Sequence, residues 1–162
     1  MPGDSGQTAN SPDDVHLRVR AFLEVNCMHC HNPAGNAQNS GLSLDSFTEP
    51  MDEGHGICKP PTAAGQAAQF GNFDIQPGDA AQSILPNRLA SVTPGIRMPP
   101  ISRTVTQTEA VSLVTPWVQN VVDQYSDSSA ATCATSSGLG SIPLLLRAPL
   151  KLKVQGNLRG TP

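Results

Sequence analysis

Aromatic side chains are scarce in this chain: they make up 4 % of its 162 residues, with 1 Trp and 1 Tyr. Hydrophobic residues of all kinds reach 38 %. That is a thin supply for an apolar core at this length. It fits either a loop-rich protein with a small core, or a core completed by a flat apolar group that is not an amino acid. No apolar run approaches the roughly 18 residues of a membrane-spanning helix. A basic excess is missing too. Residues 1–126 carry 6 Lys+Arg against 12 Asp+Glu, a balance of −6, while residues 127–162 carry Arg147, Lys151, Lys153 and Arg159 against Asp127. An acidic body argues against nucleic acid as a partner. Met1 to Asn10 has neither a basic n-region nor an apolar h-region of an export signal. What is plentiful is Gly (14) and Pro (15), the residues of turns and extended straps.

Against this background Cys27-Met28-His29-Cys30-His31 stands out. C-x-x-C-H is the attachment pentapeptide of a c-type haem. Two thiols three positions apart can each add to one of the two vinyl groups on a porphyrin edge. The histidine directly after the second thiol then lies beneath the iron as an axial ligand. Cys27 and Cys30 are therefore read as the thioether residues and His31 as the proximal ligand. The other nitrogen of such a histidine usually donates to a carbonyl or carboxylate, and the Asn32-Pro33-Ala34-Gly35 turn is the expected source. Haem is attached to this motif outside the cytoplasm, so a periplasmic or extracellular protein is expected. The chain then reads as processed, truncated or cut from a longer protein.

The sixth ligand has to come from elsewhere: His16, His29, His55, Met28, Met51 or Met98. His29 lies inside the pentapeptide, where it points away from the iron. Met98 sits in Ile96-Arg97-Met98-Pro99-Pro100, an extended strap in which the prolines forbid a helix. A thioether is a soft ligand that stabilises reduced iron. Met98 is the expected iron ligand and His55 its rival. Two other haem readings stay open, His/His ligation and an open sixth site with ligand-binding or peroxidase-like chemistry. A different chemistry can also be written: Cys27, Cys30, His55 and Cys58 as a Cys3His zinc module. If haem takes the first two cysteines, Cys58 and Cys133 are left, and in an exported chain they can pair.

The order of elements comes from local signals. Residues 1–10 are small and polar and are expected to be disordered. Ser11-Pro12-Asp13-Asp14 reads as a helix start, with Ser11 as cap. Val15, Val19, Phe22 and Leu23 form its apolar stripe, with Arg18, Arg20 and Glu24 off it. Residues 32–78 look irregular. Asp79 to Leu85 reads as a short helix capped by Asp79 and ended or kinked by Pro86. Thr106-Gln107-Thr108-Glu109 is a capping box that opens a helix carrying Ala110, Leu113, Val114, Trp117, Val118 and Val121, with a kink expected at Pro116. Residues 127–141 read as a linker. In residues 142–162 a period-two pattern of apolar and mainly basic positions predicts a β-strand. It lies over the domain's own surface, or residues 142–155 contact a second copy or another protein.

The chain resembles a class I-type monohaem cytochrome c domain: an N-terminal helix ending in the pentapeptide, a Met98-Pro99-Pro100 strap, and a closing helix with Trp117. The resemblance is nearer over roughly residues 15–122. There Asn26 to Gly35, Gly41-Leu42-Ser43-Leu44-Asp45, Cys58-Lys59-Pro60-Pro61, Asp74 to Asp79, Ser83-Ile84-Leu85 and Met98-Pro99 are similar to haem-binding domains of exported bacterial cytochromes. Pro86 and Pro116 depart from that pattern. The resemblance implies a mainly α, cytochrome c-like fold over residues 11–126. About three short helices wrap one covalent haem, with long loops between them and Phe22 and Trp117 packing where the first and last helices cross. It implies electron transfer between redox partner proteins rather than catalysis.

Overall fold

The computed structural model describes residues 11–101, 103–126 and 133. Among the described residues the regular structure is helical. There are three α-helices, α1 (Pro12–Leu23), α2 (Ile84–Ala90) and α3 (Thr108–Asn120), and several single 3₁₀ or π turns. No strand forms in this part; three isolated parallel bridges, such as Ile57 with Ile75, tie the loops together. The expected disordered residues 1–10 and the strand of residues 142–162 lie outside the described residues. So does the linker of residues 127–141, apart from Cys133.

α1 begins as its sequence predicts. The Ser11 hydroxyl accepts from the Asp14 N–H (3.2 Å), Pro12 fills the first helical position, and Asp13 and Asp14 lie at the positive end of the dipole. Val19 and Leu23 are buried. So is Arg20, placed off the stripe by periodicity alone; its guanidinium donates to the Thr48 carbonyl (2.9 Å) and lies 3.6 Å from Glu49. At Glu24 the helix widens into one π turn, Glu24–Met28. Such turns insert a residue and shift the angular phase of the residues after them. The pentapeptide begins inside it.

α2 starts four residues later than the sequence predicts, with its cap at Ser83 rather than Asp79. Asp79 accepts from the Gln82 N–H (3.1 Å) in a preceding turn, and Ser83 takes the N-cap position. Pro86 then falls in the first helical turn, where no backbone N–H is needed, so it neither ends nor kinks the helix. The C-terminus of α2 is closed by the buried Arg103, which donates to the carbonyls of Arg88 (3.0 Å), Leu89 and Ser91. A cation there is also favoured by the helix dipole.

α3 does not end at Pro116, the position where the sequence predicts a kink: it stays helical on both sides of it. Proline inside a helix costs about 3 kcal/mol. Here the buried face of Ala110, Val114, Trp117 and Val118 offsets it. The capping box does not form either. Gln107 is the N-cap without a side-chain bond, and the Thr106 hydroxyl donates to the Ala90 carbonyl (3.1 Å), joining the start of α3 to the end of α2.

α1 and α3 pack together around one core of Val19, Leu23, Met51, Ile57, Ile75, Val114, Trp117 and Val118. The ring that Trp117 meets on α1 is His16, with centroids 6.2 Å apart. Phe22, expected at that crossing, packs against the same core and also borders a cavity. Cys58 and Cys133 are joined in a disulfide, Cα atoms 4.9 Å apart across 75 positions of sequence. That is the pairing the leftover cysteines suggest.

Candidate functional site

The irregular stretch after the pentapeptide folds tightly onto it. The Cys30 and His31 N–H groups both donate to the Cys27 carbonyl (3.1 and 2.9 Å). The Asn32 amide donates to the Met28 carbonyl (2.7 Å), and its oxygen accepts from the Ala34 N–H (2.9 Å). Gly35 closes the turn at a point where a Cβ would collide with the Cys30 carbonyl, so no other residue fits. These bonds fix the three side chains of the motif relative to one another without using any of their own polar atoms.

Those side chains line a cavity of about 1060 Å³, counting the space open to solvent at its mouth. Its wall is mostly apolar. Cys27, Cys30 and His31 line one part, and Leu85 and Leu89 of α2, Leu42, Leu44 and Met98-Pro99-Pro100 line others. The strap is held in place by the Met98 N–H, which donates to the Arg88 carbonyl (3.1 Å). Cys27, Cys30, His31 and Met98 therefore share one cavity, as the sequence reading requires.

Cys27 and Cys30 are free thiols and half-buried. Burial, with the second thiol beside it, pushes Cys27 up to about 11. His31 is moved the other way. Burial lowers its pKa, helped by the nearby charges of Arg88 and His29, which favours the neutral imidazole that a metal ligand must be. Its Nδ1 lies 3.0 Å from the Ser40 hydroxyl. That hydroxyl gives its own hydrogen to the Ala37 carbonyl (2.7 Å), so Nδ1 must be the donor. The proton is thereby placed on Nδ1, and the lone pair on Nε2 has no hydrogen bond among the described residues. The orienting partner is thus Ser40, not a carbonyl of the Asn32–Gly35 turn.

The other sixth-ligand candidates lie elsewhere, apart from His29, which is exposed and borders the same cavity. His55 is buried outside it, with Nδ1 bonded to Asp52 (2.9 Å) and Nε2 4.0 Å from Asp45. Of the two, only Met98 lines the cavity with His31. His16 has both nitrogens engaged, one by the Trp117 indole N–H (3.3 Å) and one with Glu49 (3.0 Å), and it stacks on Tyr125 at 3.8 Å. Met51 is fully buried in the core. The Cys3His zinc set does not assemble. Cys58 is bonded to Cys133, and among the described residues no three His, Cys, Asp or Glu side chains are grouped to hold a metal ion.

Three polar groups in the cavity wall are not legible in the sequence. Asp74 pairs with the buried Lys59 (3.2 Å). Burial raises the Asp74 pKa although Lys59 and Arg88 pull it back. Arg88 and Gln107 are the other two. No protein-family model, curated protein or solved structure matches this chain.

Proposed function

We propose that the chain is a c-type electron carrier holding one haem through thioethers at Cys27 and Cys30, with His31 and Met98 as axial ligands. The observation that carries the reading is the meeting of the C-x-x-C-H motif and the Met98 strap on one apolar cavity, with the His31 Nε2 lone pair free. When bound, the haem supplies a one-electron couple at iron. The residues do the rest. Ser40 orients the His31 ring. The Arg88 carbonyl anchors the strap that presents Met98. The leucines of α2 and of the 42–44 segment exclude water. The arrangement is read as a cytochrome c-like fold, with α1 and α3 as its first and last helices. A sixth position filled by Met98 favours electron transfer over peroxidase-like chemistry.

No helix among the described residues is long and apolar enough to cross a membrane. The reading places the protein in the periplasm or outside the cell, where the thioethers form. The acidic body then suits a basic redox partner, attracted most strongly at low salt.

The test is expression of the full chain in a host competent for cytochrome maturation. A pyridine haemochrome spectrum and a mass increase on the Cys27–Cys30 peptide are expected. Met98→Ala is expected to keep the covalent haem and abolish the methionine–iron charge-transfer band. Colourless protein with unmodified Cys27 and Cys30 overturns the proposal.

A further inference from the structure

Among the described residues, Asp74 is the one carboxylate that lines the cavity. Its backbone is pinned on both sides. The N–H donates to the Lys59 carbonyl (2.8 Å), and the carbonyl accepts from the Leu85 N–H in the first turn of α2 (3.0 Å). The side chain is far less well supplied. It receives one hydrogen bond among the described residues, at Oδ2 from Lys59 Nζ (3.2 Å), although an ionised carboxylate offers about four acceptor sites. Lys59 is in the opposite position. It is buried, and Nζ donates to the Pro60 carbonyl (3.1 Å), the Thr62 hydroxyl (3.3 Å) and Asp74, which uses all three of its hydrogens. The ammonium is satisfied and the carboxylate is not, so Asp74 is the member of the pair open to a change of protonation. Burial raises its pKa, against the pull of Lys59 and Arg88.

The pair is also joined to the pentapeptide by hydrogen bonds. The Thr62 hydroxyl that accepts from Lys59 donates to the Ser40 carbonyl (2.8 Å), and the Ser40 hydroxyl holds His31 Nδ1 (3.0 Å). Besides Lys59 and Arg88, the titratable groups around the cavity are His29, His31 and the two thiols. A negative charge added to a mostly apolar cavity is poorly screened, and a proton on the carboxylate in its wall cancels it. We propose that Asp74 is the redox-linked proton acceptor of this cavity: as one electron enters, one proton from solvent is added to its carboxylate. On the electron-carrier reading, on which this inference rests, a redox partner delivers the electron to the iron and the proton forms an O–H bond on Asp74. The net charge of the cavity is then the same before and after. Reduction raises the proton affinity of Asp74, and protonation of Asp74 favours reduction by the same factor. The reduction potential therefore falls as pH rises through a window above the ordinary carboxylate range.

The experiment uses the full haem-loaded chain, reduced electrochemically at a series of pH values. One unit of charge across roughly 10 Å at an effective dielectric constant of about 20 changes a proton affinity on the order of 10-fold. The reduction equilibrium constant is expected to fall by about that factor in total across the window. Asp74→Asn is expected to abolish the fall and hold the potential near its low-pH value. Lys59→Met removes the neighbouring cation and is expected to move the window to higher pH. Reduced-minus-oxidised infrared spectra inside the window are expected to show a carboxylic acid C=O band that shifts when the aspartate carboxyls carry a heavy carbon label, a readout that needs no variant to fold. A potential independent of pH in the parent protein, a fall unchanged in Asp74→Asn, or a C=O band unmoved by the label overturns the inference and leaves the haem reading standing. Protein that takes up no haem overturns the haem reading and the inference with it.

Discussion

The two sides of α1 treat their polar groups in opposite ways. On the side toward α3 the polar groups are mostly closed, with the Arg20 Nε the exception. His16 has both nitrogens bonded, Trp117 gives its indole N–H to it, Tyr125 stacks on it and donates to Asp13, and Glu49 bridges His16 and Arg20. On the side continued by the pentapeptide, polar atoms are left open: the His31 Nε2, two thiols, an Arg88 N–H and the Gln107 oxygen. Both sides contain a half-buried or buried histidine. The two histidines differ at the second nitrogen: His16 uses it, while His31 has no hydrogen bond there among the described residues, Ser40 taking only the first.

That contrast predicts that damage to the closed side costs stability and spares ligation, and that damage to the open side does the reverse. The largest effect on stability is expected from Cys58→Ser. Opening a loop of 75 positions removes about 4–5 kcal/mol in the chain-entropy model. Urea denaturation of haem-loaded protein should show it as a lower midpoint with an unchanged visible spectrum. His16→Phe is smaller. The ring keeps its stack on Tyr125, but the Trp117 indole N–H loses its buried acceptor, which costs about 1–3 kcal/mol. An unchanged midpoint would show that the closed network is decorative. Ser40→Ala is the smallest in stability, about 1 kcal/mol, yet it should act on the open side. With the Nδ1 partner gone, the His31 ring is free to turn, and an orienting bond of this kind is worth roughly 10- to 100-fold in metal affinity. Imidazole competition monitored in the visible spectrum measures it. If Ser40→Ala lowered the midpoint as far as His16→Phe and left the competition unchanged, the division between the two sides would fail.

The legible parts of the fold are those settled by local chemistry. Ser11 and Pro12 start a helix because a cap and a fixed φ work in any context. The buried positions of α3 come from a stripe of Ala110, Val114, Trp117 and Val118. The pentapeptide stands out by its spacing and Met98 by the prolines that stiffen its strap, and the fold brings both to the wall of one cavity. The misread parts depend on distant partners. Asp79 looks like the cap of a helix that in fact begins at Ile84, because one turn and one helix start offer the same signals. Arg20 looks solvent-facing until Glu49 and the Thr48 carbonyl come to meet it. Pro116 looks disruptive because the value of the buried face around it cannot be read locally. Ser40 and Arg88 cannot be identified from the sequence at all. A serine in a turn and an arginine on a short helix acquire their roles only when the loop brings them to the cavity.

The π turn between Glu24 and Met28 has a consequence for how this chain tolerates insertions and deletions. A residue added to one turn of a helix rotates every later residue by about 100°. The extra residue shifts the angular position of the thiols relative to the core stripe of α1. Removing the exposed Val25, a deletion that touches little of the core, is expected to restore ordinary winding and swing both sulfurs away from the cavity they line. The phase of the segment, rather than any side chain within it, is what the motif requires from its upstream neighbours.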